Sequence, residues 1–389
     1  MTGPTIFLLA GEASGDLLGA KLMAALKRKT GGAVRFVGVG GPEMAREGLA
    51  SLFPFTDLAN FGLVEVLPRV PLLLRRMREV AAAARAARPD AIVTIDVPSF
   101  ASGVWRRLQD AGIPLIHYVA PTVWAWRPGR AQKLARYLDH LMVLLPFEPP
   151  YFERVGLGCS FVGHPVVETG LDADRAAGQA FRARHGIRDD APVLLLLPGS
   201  RRGEVRRHLA PFGQALAKLH AKYPTMVAVA PTVSGVADTV AAAAAAWPAR
   251  SIVVRDISQK AGAFAASDVA LAASGTVVLE LALAQVPQVA AYRLSGASWA
   301  VAKRMVRVKY VTLVNLLLDR PAVPELLQEN CRGDLLAAEV ARLLDDVAAR
   351  ADQLEAGRAA LAKLCIGDVP PSERAADVVL EIAAKGKRR

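Results

Sequence analysis

Thr5-Ile6-Phe7-Leu8-Leu9-Ala10-Gly11-Glu12-Ala13-Ser14-Gly15-Asp16 decides how the rest of the chain is read. An uncharged apolar run passes into glycines and then into a helix start. This is a strand covered on both faces, followed by a tight turn. The run has no basic region before it and is too short for a signal peptide. The same pattern returns at Val193-Leu194-Leu195-Leu196-Leu197-Pro198-Gly199-Ser200-Arg201-Arg202-Gly203-Glu204.

Working outward, short apolar runs alternate with helical stretches. Strands are expected at 5–10, 34–39, 91–96, 114–119, 140–145 and 160–162, then at 193–197, 226–230, 251–255, 269–273 and 288–292. Helices are expected between them, at 17–29, 72–87, 204–222 and 277–284 among others. Such alternation means parallel sheets with helices on both faces. The first set ends near Gly163-His164-Pro165, and a polar stretch, 168–190, precedes the second. The expectation is an α/β chain of two Rossmann-like domains, residues 1–165 and 166–333, with a cleft between them. A charged helical tail, 334–389, is expected to pack across the domains or to be exchanged with a second subunit in a homodimer.

With 389 residues, 53% of them apolar and 6% aromatic, the chain can bury two cores built from Ala, Leu and Val. A net charge of +12 favours an anionic partner: an acidic membrane surface or a phosphorylated substrate. A solvated basic surface is the plain alternative. Nucleic acid is not expected, because zinc-finger spacing and basic stretches interleaved with aromatics are missing. Cys159, Cys331 and Cys365 are far apart, odd in number and form no C-x-x-C pair. That argues for a reducing compartment and against a disulfide framework or a cysteine metal site. No uncharged apolar run of about 18 residues exists, so a membrane role would be peripheral.

Ligands of open parallel sheets sit at the carboxyl ends of strands, so the residues there are the candidates. Glu12 and Ser14 follow the first strand. Ser14 is misplaced for a nucleophile elbow, and Ser14 or Asp16 serves equally as a helix cap. Asp96 ends the strand at 91–96 before Val97-Pro98. It is placed to take a proton from an acceptor hydroxyl, or to cap the helix opening near Ser99. Trp124, Trp126, Arg127 and Arg130 share one loop, where indole faces stack on sugars or acyl chains and arginines pair with phosphate. In the second half, Gly199 and Ser200 offer backbone N–H groups and Arg201 a charge for a diphosphate, although the P-loop spacing is missing. Ser274, Gly275 and Thr276 open a helix in which Glu280 is placed for ribose hydroxyls, or stands as a surface charge. His164 sits at the domain junction. Leucines beside arginines and lysines at 61–78 and 299–318 fit an anionic lipid surface, or core helices with basic outer faces. No HExxH, GxGxxG or D-x-D pair suited to a divalent cation is present, so neither metal nor cofactor is expected.

Together these motifs resemble the lipid-A-disaccharide synthase family. The matching segments are GEASGD at 11–16, GVGGPEM at 38–44, TVWAWRPGR at 122–130, LPFEPPYF at 145–152 and FVGHP at 161–165. LLPGSRRGEV at 196–205, SGTVVLELAL at 274–283, Asn315-Leu316-Leu317 and VPELLQ at 323–328 follow in the family's order. The resemblance implies a GT-B fold and an inverting transfer. The donor would be UDP-2,3-diacylglucosamine and the acceptor 2,3-diacylglucosamine 1-phosphate (lipid X). The β-1,6-linked disaccharide 1-phosphate and UDP would be the products. It further implies a Gram-negative cell and the cytoplasmic face of its inner membrane. Arg201, Glu280 and Asn315 match the family's UDP-side positions, and Glu12, Ser14 and Asp96 its acceptor side. This chain departs from the family at Tyr292-Arg293-Leu294-Ser295-Gly296, where a Lys and an Asn-Pro are more usual. Two other readings compete: another GT-B enzyme, such as a UDP-N-acetylglucosamine epimerase or a peptidoglycan glycosyltransferase, and a non-catalytic protein that docks on membranes and binds nucleotide sugars.

Overall fold

The computed structural model describes residues 3–58, 67–126, 129–171, 174–296, 299, 303, 308–365 and 367–386. The chain divides into two units: Met1–Pro165 with Leu364–Arg389, and Val166–Lys363.

The sheet of the first unit holds β1 (Thr5–Ala10), β2 (Arg35–Val39), β3 (Ala91–Ile95), β4 (Leu115–Tyr118), β5 (His140–Val143) and β6 (Gly158–Phe161). They are parallel, in the order β2-β1-β3-β4-β5-β6. Alternate residues of β1 feed two cores. Phe7 and Leu9 join Ile92, Val104 and Trp105 on one face, while Ile6 and Leu8 join Val93, Leu22 and Leu26 on the other. With both faces covered, no strand residue needs to be polar, which is why the runs are continuous rather than alternating. Strand β3 stops at Ile95, one residue before the expected end, because Asp96 and Val97 both turn to positive φ.

In the second unit lie β7 (Val193–Leu197), β8 (Val227–Pro231), β9 (Arg250–Val254), β10 (Val269–Ala273), β11 (Gln288–Tyr292) and β12 (Glu325–Leu327). Their order is β12-β11-β10-β7-β8-β9, again parallel. Strand β12 is not expected from sequence; its three half-buried residues give no apolar run.

The C-terminal helices are shared out. Gly333–Asp345 and Val347–Ala362 belong to the second unit. The last helix, Pro371–Lys385, joins the first unit. Its Ala375, Ala376 and Val379 enter the core that holds Leu22 and Leu26. Arg28 Nε donates to Glu373 at 2.6 Å, and Lys29 pairs with Asp377 at 2.8 Å.

Each sheet has one place where the order reverses. The chain lays β2 on one side of β1 and then crosses to lay β3 on the other. In the second sheet it lays β8 and β9 on one side of β7 and crosses to β10 on the other. A crevice opens at such a switch point, at the carboxyl ends of the two strands.

Candidate active site

The switch point of the first unit carries Glu12 and Asp96. Ala10 pairs with Ile95, so the exits of β1 and β3 run side by side. A Cβ on Gly11 would lie 3.0 Å from Val97 Cγ1 and 2.9 Å from Leu58 Cβ, so only glycine fits this approach. Asp96 (φ 54°) and Val97 (φ 44°) are consecutive left-handed residues, and Val119, leaving β4, has φ 80°. For β-branched valine this region is costly, about 1–3 kcal/mol per residue, and persists only where the surroundings enforce it. The enforcement is visible. Asp96 N–H donates to Tyr118 O at 2.9 Å, and Val119 N–H donates to Met142 O at 3.0 Å. Asp96 Oδ1 accepts from Val97 N–H at 2.9 Å, leaving its half-buried carboxylate oriented by its own turn.

Glu12 is the N-cap of the first helix, Ala13–Lys29, through its backbone, and its side chain makes no capping bond there. Ser14 is exposed. The cap expected of Ser14 or Asp16 is therefore corrected. Asp16, only 2% exposed, reaches across to Gly41, Glu43 and Met44, whose N–H groups it accepts at 2.8, 2.9 and 3.0 Å. It caps the short helix Pro42–Arg46, whose orphan donors need an acceptor.

The loop after β4 places Trp124 half-buried, its Nε1 donating to Glu148 Oε1 at 3.1 Å and its ring edge-on to Phe147 at 5.2 Å. Arg130 is half-buried in the following helix, Gly129–Ala135. Trp126 ends the short helix Val123–Trp126; Arg127 lies outside the described residues. Glu148, to which the sequence pattern assigns no role, organises this corner. Its Oε2 accepts from Leu144 N at 3.2 Å and Leu145 N at 3.0 Å. Burial pushes its carboxyl up to about 7, partly offset by those three donors.

The switch point of the second unit carries the other candidates. Gly199 has φ 120°, and a Cβ there would meet Glu204 Oε2 at 2.3 Å. That oxygen accepts Ser200 N–H at 3.1 Å. One of the backbone donors expected for a diphosphate is thus held by a carboxylate at the start of the helix Arg202–Lys222, a position that favours negative charge. Arg201 is its exposed N-cap. Ser274, Gly275 and Thr276 follow β10, with Ser274 N–H donating to Ala291 O at 3.0 Å. Glu280 is half-buried, and both its oxygens accept from Lys260 Nζ at 2.8 Å. Lys260 carries no sequence signal of this role, because it lies twenty residues away, at the start of the helix Lys260–Ala265.

Asn315, expected on the UDP side, is a buried staple between its helix, Leu313–Leu318, and the strand β12 segment. It has no exposed surface; Nδ2 donates to Val323 O and Glu325 Oε1, both at 2.8 Å, and Oδ1 accepts Val323 N at 2.8 Å. His164 is buried, and burial lowers its imidazole to about 4. Among the described residues no group of three or more His, Cys, Asp or Glu is arranged to hold a metal ion.

Comparison with known proteins adds to this geometry. The family model described as lipid-A-disaccharide synthetase matches residues 6–364. A lipid-A-disaccharide synthase of Rhodospirillum centenum is 57% identical over 98% of this chain and 95% of that protein. One of Paramagnetospirillum magneticum is 51% identical over 99% of each. Among solved structures, the Staphylococcus aureus MnaA–UDP co-structure superposes with a TM-score of 0.66 at 12% identity, covering 97% of this chain and 95% of that one. Acinetobacter baumannii MurG superposes with a TM-score of 0.59 at 15% identity, covering 97% and 99%. At such identities the structural likeness speaks for the two-Rossmann, GT-B architecture.

Proposed function

Because this chain belongs to the lipid-A-disaccharide synthase family, a family of glycosyltransferases acting in lipid A biosynthesis, we propose how its residues divide the work of making the lipid A disaccharide. The donor is UDP-2,3-diacylglucosamine and the acceptor 2,3-diacylglucosamine 1-phosphate. The acceptor's O6 forms a bond to the donor's C1 from the face opposite UDP. The C1–oxygen bond to the diphosphate breaks, UDP leaves with the electron pair, and the acceptor's hydroxyl proton passes to a carboxylate. The product is the β-1,6-linked disaccharide 1-phosphate.

The observation that carries this reading is the placing of both candidate sets at the two strand-order reversals. Asp96 is assigned as the base: it is held by Tyr118 O and Val97 N in a backbone strained enough to need a purpose. Glu12 orients acceptor hydroxyls beside it. Ser14, Trp124, Trp126, Arg127 and Arg130 belong to the acceptor side. Gly199, Ser200 and Arg201, with Ser274, Gly275 and Thr276, hold the diphosphate, which takes Ser200 N–H over from Glu204. Glu280, steadied by Lys260, accepts from the ribose hydroxyls. Asn315 keeps the neighbouring turn in place.

The helix Val70–Ala87 supports peripheral docking on an anionic inner-membrane surface at the cytoplasmic face. Val70 and Leu74, 38% and 39% exposed, share a face with exposed Arg78. Among the described residues no helix is long and apolar enough to cross a membrane. Of the stretch at 299–318, Arg304 and Arg307 lie outside the described residues, as does 61–66 of the first stretch.

Mass spectrometry of purified protein with the two substrates tests the reading. A tetraacyl disaccharide 1-phosphate with stoichiometric UDP is expected. UDP binding without turnover would leave a docking protein instead, and turnover of UDP-N-acetylglucosamine to its epimer would place the chain with the epimerases its fold resembles.

A further inference from the structure

The helix Arg202–Lys222 buries one imidazole completely, that of His208. Its Nδ1 lies 2.9 Å from Pro198 O, and its Nε2 accepts Arg293 N–H at 3.0 Å. A carbonyl oxygen can only accept and a backbone N–H can only donate. Both bonds together therefore fix the ring as neutral, with its proton on Nδ1 and a lone pair on Nε2.

Pro198 leaves β7 and Arg293 leaves β11, the two strands that flank β10. One ring thus ties the exits on either side of the Ser274–Thr276 turn. The next residue back reinforces it, since Arg207 Nε donates to Arg293 O at 2.6 Å. Arg293 is gripped by its N–H and its carbonyl from adjacent residues of one helix. On the other exit, the Pro198–Gly199 peptide is trans and planar. With its carbonyl held toward His208, its Gly199 N–H is aimed the opposite way.

We propose that His208, as the neutral Nδ1–H tautomer, is a positioning residue that sets the β7 and β11 exits for nucleotide binding. The inference rests on the reading that UDP binds at these exits. His208 does not touch the ligand; it orders the loops beforehand, so less ordering is left for binding to oppose. Protonation would put an N–H against the Arg293 N–H and break the tie. The groups facing the ring are Glu204 and Arg207 on its own helix and Arg293 and Tyr292 from the β11 exit, with Phe212 stacked at 5.6 Å. Burial lowers the imidazole from its ordinary value, opposed by the Pro198 carbonyl and Glu204. The neutral form therefore prevails at pH 7.

UDP titration of the full chain and its variants tests this. His208→Phe removes both partners and should raise the UDP Kd about tenfold, the loss of a typical buried hydrogen-bonded pair. His208→Gln, whose amide can donate an N–H to Pro198 O and accept at its carbonyl from Arg293 N–H, should restore most of it. As pH falls through the imidazole's lowered value, the wild-type Kd should rise relative to that of His208→Gln; the ionisation of UDP itself cancels in this ratio. Ring ¹⁵N shifts of the wild type at pH 7 should show Nδ1 protonated and Nε2 bare. A wild-type Kd for folded His208→Phe, a flat ratio, or an Nε2–H tautomer would each overturn the inference. Arg201→Ala and Glu280→Ala separate the two ideas. If they lose UDP while His208→Phe keeps it, only the inference fails; if both bind UDP normally, the site reading fails.

Discussion

The switch-point exits of the two sheets present polar groups by different means. In the first unit the backbone is forced: Asp96, Val97 and Val119 all sit at positive φ without being glycine. In the second the turn after β7 is made by Gly199, which takes φ 120° at no side-chain cost, and the non-glycine residue at positive φ directly after a strand is Gln328 (φ 51°), beyond β12. Each corner is then stapled by a buried titratable side chain, Glu148 in the first unit and His208 in the second. Burial acts on both against the charged form, raising the carboxyl and lowering the imidazole. The difference fits the two tasks proposed for these exits. A base must present one carboxylate in one direction, and strain enforced by neighbouring strands does that. A diphosphate needs several N–H donors around an anion, and flexible glycine with a helix start does that.

The sharpest way to break the comparison is Asp96→Asn, which keeps the shape and removes the basicity. It should cut kcat by roughly 10²–10⁴ while the fold and UDP affinity persist. Near-normal turnover in Asp96→Asn with loss in Glu12→Gln would exchange the two assignments.

Within the first unit, Glu148 and the buried imidazoles of His117 and His164 give opposite pH signatures, and stability curves can separate them. Glu148, raised from 4.5 to about 7, contributes stability that is complete below pH 4.5 and lost as pH rises through 7. His117 and His164, lowered from 6.5 to about 4, contribute stability present above pH 6.5 and lost as pH falls through 4. Between these limits the slopes oppose each other in the first unit. Glu148→Gln should remove the offset and leave a steeper rise of stability with pH, by on the order of 3 kcal/mol across the window. Parallel curves for the two proteins would mean Glu148 does not titrate there.

On the donor side, Glu280→Ala should weaken UDP binding by about 1–3 kcal/mol, the loss expected for charge-assisted hydrogen bonds. An unchanged Kd by calorimetry would remove Glu280 from the site. The smallest effect expected is at the membrane: exchanging Arg75 and Arg78 for Ala should reduce pelleting with anionic vesicles by about 1 kcal/mol per charge, an effect erased by high salt. Equal binding to neutral vesicles would exclude an electrostatic contribution.

Much of the fold is legible in the amino-acid sequence. Eleven strands can be placed from apolar runs alone, because strands buried on both faces leave an unbroken signal. Among the described residues β12 escapes, its three residues being too few to carry one. The candidates at the strand exits are legible for a related reason: a ligand site there follows from the strand–turn–helix order, which is local in sequence.

Sequence by itself therefore determined the two parallel sheets and the family, and named the candidate loops, because each is written in short contiguous patterns. Tertiary structure alone decided which strands flank each reversal, and so which loops become neighbours. It decided that Asp96 sits in strained backbone, that Asp16 caps a helix twenty-five residues on, and that Asn315 is a staple. It joined Lys260 to Glu280, Glu148 to Trp124, and His208 to both Pro198 and Arg293. Hydrogen bonds depend on distance in space, and a parallel sheet brings together residues whose separation along the chain carries no local signal.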